Sequence, residues 1–226
     1  MAEKLKLLIT GTSSGLGRYL VEELEGTPFS RIDLGAEIER HQRNFYDCIV
    51  HCATDARNSI PPQDLLGYHQ SHIELTRQLT TIPHRLFVFI SSVAVYPDPF
   101  RLNNELDTAD IPQIPPTSKT TPLYGLFKLL GEQVVGNNTR SHLILRPTAI
   151  IGRTSRPNNI MKILKGGPCQ LNLSGDSSYN LVSMYQVRGF IESSLATDIK
   201  GVFNIGAPDN TTLIEIAREV GSQPEF

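Results

Sequence analysis

Residues 7–18 read Leu7-Leu8-Ile9-Thr10-Gly11-Thr12-Ser13-Ser14-Gly15-Leu16-Gly17-Arg18, and this stretch decides the fold. The apolar run Leu5 to Ile9 is typical of a buried parallel strand, and the apolar residues after Gly17 recur at helical spacing. Glycines between a strand and a helix allow a tight turn and close approach of the backbone to a pyrophosphate at the helix N-terminus. The stretch therefore predicts a dinucleotide-binding turn, with an ordinary strand–turn–helix as the weaker alternative; its residues are Gly11, Thr12, Ser13, Ser14, Gly15, Leu16 and Gly17.

Composition sets the class of protein. With 226 residues, 39% of them hydrophobic and 19% charged, the chain is expected to be a soluble globular protein with one sizeable core. A net charge of −2 gives no reason to expect a nucleic acid or a membrane as partner. Met1 leads almost directly into a strand, which leaves no room for a signal peptide and predicts a cytoplasmic location. The three cysteines have no metal-ligand spacing, so buried thiols and no metal site are expected.

Strand-like and helix-like segments alternate along the chain. This alternation predicts an α/β fold, a Rossmann-type doubly wound parallel sheet with helices on both faces. Residues 1–150 are expected to form the dinucleotide-binding core, and residues 151–226 a small substrate-binding portion that partly returns to the sheet. A Pro-rich segment, Pro97 to Pro122, is long for a compact domain and predicts a functional loop. The predicted strands after the first are Arg31–Leu34, Tyr46–Ala53, Leu86–Ile90, His142–Arg146 and Gly201–Ile205.

One group of side chains suits hydride transfer at a carbinol carbon. Tyr124 and Lys128 are four residues apart and share a helix face, and Ser92 ends a strand at the edge where such sheets bind ligands. Tyrosine has a pKa of ~10, which a nearby ammonium and a bound nicotinamide cation would lower. The serine hydroxyl would orient the substrate oxygen. A solvated helix face is the alternative for the Tyr–Lys pair alone, but the glycine turn and Ser92 together favour a site.

These motifs resemble the extended short-chain dehydrogenases/reductases, in particular the NAD-dependent epimerase/dehydratase group that acts on nucleotide sugars. The resemblance covers nearly the whole chain. It rests on the glycine turn, Asp47-Cys48-Ile49-Val50-His51-Cys52-Ala53, Ser91-Ser92-Val93-Ala94-Val95-Tyr96, Tyr124-Gly125-Leu126-Phe127-Lys128, Leu145-Arg146-Pro147-Thr148 and Val202-Phe203-Asn204-Ile205-Gly206.

The resemblance implies roles for individual residues. Ser92, Tyr124 and Lys128 would be catalytic, and the lysine would also hold the nicotinamide ribose. NAD or NADP would be bound by the glycine turn together with Asp33, Leu34, Cys52, Ala53, Tyr124, Lys128 and Pro147. A nucleotide-sugar substrate would contact Ser92, Val93, Tyr96 and Tyr124. Relatives commonly form homodimers through two helices that correspond to Gln63–Leu79 and Leu123–Val135 here.

The adenosine half departs from the family pattern. Between the first helix and His51 the chain is short by about one strand and one helix. Ile32-Asp33-Leu34 resembles the family's third strand with its adenine-contacting aspartate, and in that case the acid that reads the ribose is missing. Weak binding with little preference between NAD and NADP would follow. Alternatively, Asp33 itself reads the ribose. Arg18 and Arg31 are potential contacts of a 2′-phosphate, although each is more simply a surface arginine.

The sequence predicts an NAD(P)-dependent sugar epimerase or ketoreductase in which Tyr124 is the acid/base. Val93 and Ala94 follow Ser92 where dehydratases of the group carry acidic residues, which argues against dehydration. Ala149 stands in place of a substrate-contacting asparagine, so the identity of the sugar is open. The rival hypothesis is a non-catalytic NAD(P)-binding or sensor protein, suggested by the shortened adenosine half.

Overall fold

The structure is a computed structural model, and it describes residues 4–55, 57, 60–98, 101–107 and 123–226. In chain order the strands are β1 Leu7–Ile9, β2 Thr27–Pro28, β3 Tyr46–His51, β4 His84–Ile90, β5 His142–Pro147, β6 Ala149–Ile151, β7 Pro168–Gln170, β8 Ser178–Tyr179, β9 Leu181–Ser183, β10 Gly201–Ile205, β11 Thr211–Thr212 and β12 Gln223–Glu225. The α-helices are α1 Gly15–Leu24, α2 Leu34–Gln42, α3 Leu65–His69, α4 Leu75–Leu79, α5 Leu123–Asn138, α6 Asn159–Leu164, α7 Met184–Thr197 and α8 Leu213–Val220.

The central sheet has six parallel strands in the order β10-β5-β4-β3-β1-β2. Successive side chains of a strand face opposite sides, so β1 sends Leu7 and Ile9 to one core and Leu8 to the other. Helices α1 and α7 cover the first face, and α2, α4 and α5 cover the second. This arrangement confirms the predicted doubly wound α/β fold.

The predicted strand Arg31–Leu34 is wrong. The edge strand is the shorter Thr27–Pro28, whose partners in β1 are Leu8 and Ile9. Asp33 is instead the N-cap of α2, and its carboxylate accepts a hydrogen bond from the Ala36 N–H at 3.1 Å. An N-cap aspartate is worth about 1 kcal/mol to a helix, which favours helix over strand here. β2 is the last strand at its edge of the sheet, and among the described residues no further strand pairs with it. The strand by which the chain is predicted to be short is therefore the one that would lie next to β2.

The single helix predicted over Gln63–Leu79 is divided. A π-helical turn, Gln70–Glu74, joins α3 to α4 and buries His72. The Nε2 atom of His72 lies 3.0 Å from the Asp55 carbonyl oxygen and 3.3 Å from the Asp55 N–H. The helix thereby supports the loop that follows β3. Turns of this kind are frequent beside functional sites.

The C-terminal portion is a small unit that joins the main sheet. Its own core packs α6 against α8 through apolar side chains that include Ile160, Ile163, Leu213 and Ile216. Strands β6 and β9 pair beside it, while β10 pairs with β5 and α7 packs on the main sheet. No helix in the part of the chain that the structure describes is long and apolar enough to span a bilayer.

The Pro-rich segment falls largely outside the described residues, which here include only residues 97–98 and 101–107. Glu105 anchors this piece, because its Oε1 atom accepts the Asn204 N–H at 2.7 Å. The described part of the segment is therefore tied to the end of β10.

Candidate active site

A buried hydrogen-bonded chain fixes the carboxyl ends of β1 and β3. The Thr10 Oγ1 atom accepts the N–H groups of Cys52 at 3.1 Å and Ala53 at 3.0 Å. Its own proton is therefore directed to His51 Nδ1 at 2.8 Å, which makes Nε2 the protonated nitrogen, 2.9 Å from Thr76 Oγ1. Burial lowers the pKa of His51 well below its ordinary value. His51 is thus a neutral structural residue.

The glycine turn lies at this fixed edge. A Cβ atom on Gly17 would fall 2.5 Å from the carbonyl oxygens of Thr10 and Gly11, so only glycine lets α1 start this close to β1. Gly15 has φ +64°, and its missing Cβ would meet nothing within 4 Å. Ser14 is the N-cap of α1 but makes no side-chain cap. The turn is therefore tight against β1 and leaves free space at the Cβ position of Gly15, and such close packing of helix and strand is what a pyrophosphate-binding turn uses glycine for.

Ser92 and Tyr124 meet at the carboxyl end of β4. Ser92 begins a 3-10 turn, Val93–Val95, with its Oγ atom accepting the Ala94 N–H at 3.1 Å. Tyr124 lies in the first turn of α5, and its hydroxyl interacts with the Ser92 side chain. Burial raises the pKa of Tyr124, while the interaction with Ser92 and the charge of Arg156 act in the opposite direction. The phenol therefore carries its proton at neutral pH.

Lys128 lies one helical turn beyond Tyr124 and is buried. Its Nζ atom donates to the Ile90 carbonyl oxygen at 2.7 Å and lies 5.7 Å from the centre of the Tyr124 ring. Burial lowers the pKa of Lys128 to about 8, against the opposing effects of Cys52 and Glu132. The ammonium form still predominates at neutral pH.

The cleft between the two halves of the sheet brings together many of the predicted site residues. Those lining it are Gly11, Ser14, Gly15, Leu16, Gly17, Cys52, Ser92, Tyr124 and Pro147. Lys128 lies beneath the lining. The remaining predicted contacts are not part of the lining; they are Thr12, Ser13, Asp33, Leu34, Ala53, Val93 and Tyr96.

Tyr96 belongs to a buried network beside the cleft. Its hydroxyl accepts from Arg146 Nη1 at 2.9 Å and lies 2.9 Å from Asn204 Oδ1, to which it donates. Arg146 also forms a buried ion pair with Glu132 at 2.7 Å. These contacts occupy the hydroxyl that the resemblance assigned to the sugar.

Cys52 lines the cleft, but it is not a nucleophile. Burial raises the pKa of its thiol to about 12. The thiolate, which is the reactive form of cysteine, is therefore absent at neutral pH.

Sequence reasoning missed a segment that crosses the cleft, which we call the strap and define as residues 152–158. Thr154 binds Gly15 twice, since its carbonyl accepts the Gly15 N–H and its Oγ1 donates to the Gly15 carbonyl oxygen, both at 2.8 Å. Arg156 Nε donates to Ser14 Oγ at 2.9 Å. Ser155, Arg156 and Asn158 of the strap line the cleft. The strap thus brings a guanidinium onto the glycine turn.

A glycine turn at the carboxyl edge of a doubly wound sheet, opening on the same cleft as a Ser–Tyr pair, defines the class of Rossmann-type nucleotide-binding proteins. The model of the NAD dependent epimerase/dehydratase family matches residues 7–206, and the chain belongs to that family. No curated protein sequence matches the chain.

Solved structures of similar fold include sugar-nucleotide enzymes. MoeE5 in complex with UDP-glucose and NAD has a TM-score of 0.75 at 17% identity, over 96% of this chain and 81% of that one. The dTDP-4-dehydrorhamnose reductase of Bacillus anthracis str. Ames, in complex with NADP, has a TM-score of 0.76 at 18% identity, over 96% and 80%. UDP-N-acetylglucosamine 4-epimerase from Methanobrevibacter ruminantium M1 has a TM-score of 0.73 at 18% identity, over 96% and 81%. At these identities the likeness concerns the fold.

Proposed function

We propose that this protein transfers hydride between NAD(P) and a carbinol carbon of a nucleotide sugar. The observation that carries the proposal is that Ser92 and Tyr124, whose side chains interact, line the same cleft as the glycine turn. Membership of the NAD dependent epimerase/dehydratase family supports the proposal, as do similar folds solved with NAD and UDP-glucose or with NADP.

The cleft fits a dinucleotide. There is free space at the Cβ position of Gly15, whose N–H is taken by the Thr154 carbonyl oxygen. The buried Thr54 Oγ1 atom, in the cleft lining, has no hydrogen-bond partner among the described residues. The turn, Thr54 and Pro147 would hold the cofactor. When bound, its nicotinamide ring supplies or accepts the hydride.

Side chains of the protein itself transfer the proton. In reduction, Tyr124 gives its proton to the carbonyl oxygen of the sugar, while Ser92 holds that oxygen. In oxidation the phenolate removes the hydroxyl proton. The Lys128 ammonium and the Arg156 guanidinium favour the phenolate electrostatically. No acidic residue follows Ser92, where Val93 and Ala94 stand, so neither neighbour offers the acid that dehydration needs.

Purified protein offered a panel of UDP- and dTDP-sugars and their 4-keto forms tests the proposal. A reductase consumes added NAD(P)H in proportion to product. An epimerase interconverts sugars, visible by NMR, with no net consumption of the cofactor. A protein that binds the cofactor tightly but converts no sugar in the panel would instead be the sensor.

A further inference from the structure

A second cavity opens from the cofactor cleft on the side of β2. It shares Thr54, Arg156 and Asn158 with the cleft, so the two cavities adjoin. Three guanidinium groups and one carboxylate line it; the full lining is Arg31, Thr54, Asp55, Arg57, Arg156, Pro157 and Asn158. The cavity is therefore strongly basic.

The three arginines differ in their partners. Arg57 is neutralised by Asp55, through bonds of 2.7–3.0 Å, and by Asp64 at 2.7 Å. Among the described residues neither Arg31 nor Arg156 has a carboxylate partner. The charge of Arg31 reaches inward, since it contributes to the lowered pKa of His51 and of His72. Two uncompensated cations that share one cavity favour an anion between them.

The position of Arg31 identifies the anion. It lies three residues beyond the end of β2, the strand next to β1. In this class of sheet, an acidic residue in this region binds the 2′-hydroxyl of NAD, whereas an arginine accommodates the 2′-phosphate of NADP. Asp33, the nearest acid in sequence, is occupied as the N-cap of α2 and does not line the cavity.

We propose that the protein is selective for NADP, with Arg31 binding the 2′-phosphate and Arg156 of the strap binding the pyrophosphate above Ser14. This rests on the proposed function. It replaces the expectation of little preference between the cofactors, because that expectation took Arg31 as a surface arginine, whereas the fold places it in one cavity with Arg156.

Calorimetric titration with adenosine 2′,5′-bisphosphate and AMP isolates the adenosine half, and NADP and NAD extend the test to whole cofactors. We expect the extra phosphate to strengthen binding about 10- to 100-fold, as charge-assisted contacts do. In Arg31→Gln the ratio of the affinities with and without the extra phosphate should fall to within about threefold, and the affinity for NAD should be unchanged. Arg156→Gln should weaken NAD and NADP alike.

Two variants are matched controls. Arg18→Gln removes an arginine that pairs with Glu22 on α1 and lies outside the cavity, and Asp33→Asn keeps a capping oxygen. Both should keep the preference for the extra phosphate.

Equal binding of the two adenosine nucleotides, or a preference that survives in Arg31→Gln, would overturn the inference while leaving the proposed function intact. UDP binding that is lost in Arg31→Gln, with bisphosphate binding unchanged, would assign the cavity to the substrate and also overturn it. Failure of both dinucleotides to bind would refute the inference and the proposed function together.

Discussion

Gly125 sets the position of Tyr124. A Cβ atom on Gly125 would overlap the carbonyl oxygen of Ala94, in the 3-10 turn that Ser92 begins. Since that obstacle is backbone, it cannot rotate away. The absence of a side chain at residue 125 therefore lets the first turn of α5 press against the turn and bring the two hydroxyls together.

We expect Gly125→Ala to destabilise the fold by about 1–3 kcal/mol and to lower turnover sharply, because the added methyl group separates Tyr124 from Ser92. Gly136→Ala, in the same helix with open space around the new Cβ, is the control and should be neutral or slightly stabilising. Thermal unfolding and steady-state rates measure both. Equal behaviour of the two variants would show that the contact with Ala94 does not position the site.

At this scale, short motifs can be predicted from sequence and long-range contacts cannot. Ser92, Tyr124, Lys128 and the glycine turn stand out because strand ends and helix spacing place them. Arg156 lies 142 residues from Ser14 in sequence, and only the folded strap brings the two together. Nothing local marks it as different from any loop arginine.

At the level of elements, two buried neutral histidines connect β3 and the loop after it to the helical segment of residues 65–79. His51 of β3 contacts Thr76, and His72 of the π-helical turn contacts Asp55. Burial lowers the pKa of His72 to about 4, and that of His51 falls as well. In the unfolded chain the two histidines take up a proton near their ordinary pKa of about 6.5, whereas in the folded protein they do so only at a lower pH. The stabilisation is therefore complete above about pH 6.5 and is lost as the pH falls toward 4.

We expect the free energy of unfolding to decrease below about pH 6.5, with His72 contributing up to ~1.4 kcal/mol per pH unit. His72→Gln should flatten this dependence by about that amount, whereas His69→Gln, an exposed neighbour, should not. Urea unfolding across the acid range measures the slopes. A slope that His72→Gln leaves unchanged would contradict the account.

The elements near β2 show why some boundaries escape prediction. Arg31–Leu34 alternates charged and apolar residues, as a strand can, but Asp33 followed by a helix-forming sequence competes as an N-cap and prevails. The strand that does form, Thr27–Pro28, has two residues and carries no periodic signal. By contrast, β10 has the bounds that the sequence predicts, Gly201–Ile205.

At the scale of the whole molecule, we propose a homodimer through the helices of residues 65–79 and α5. These helices lie side by side, with the Tyr68 and Phe127 rings 4.9 Å apart. They expose Leu65, Leu66 and Leu130 to 44%, 68% and 42%. Apolar side chains left outside a core in this way suit an isologous interface.

Light scattering at micromolar concentration should give twice the chain mass, and the double variant Leu66→Glu/Leu130→Glu should give a folded monomer. Leu173→Glu, an exposed leucine of the C-terminal portion, should leave the mass unchanged. A wild-type protein of monomer mass would exclude the dimer.

We propose that Tyr124 moves the proton during hydride transfer to or from a nucleotide sugar. The most direct test of this claim is the rate of sugar conversion by Tyr124→Phe, measured together with the cofactor affinity of the variant. We predict a loss of about 10²–10⁴-fold in turnover with cofactor binding and melting temperature retained. Conversion of the same sugar within about a factor of two of the wild-type rate would contradict the claim.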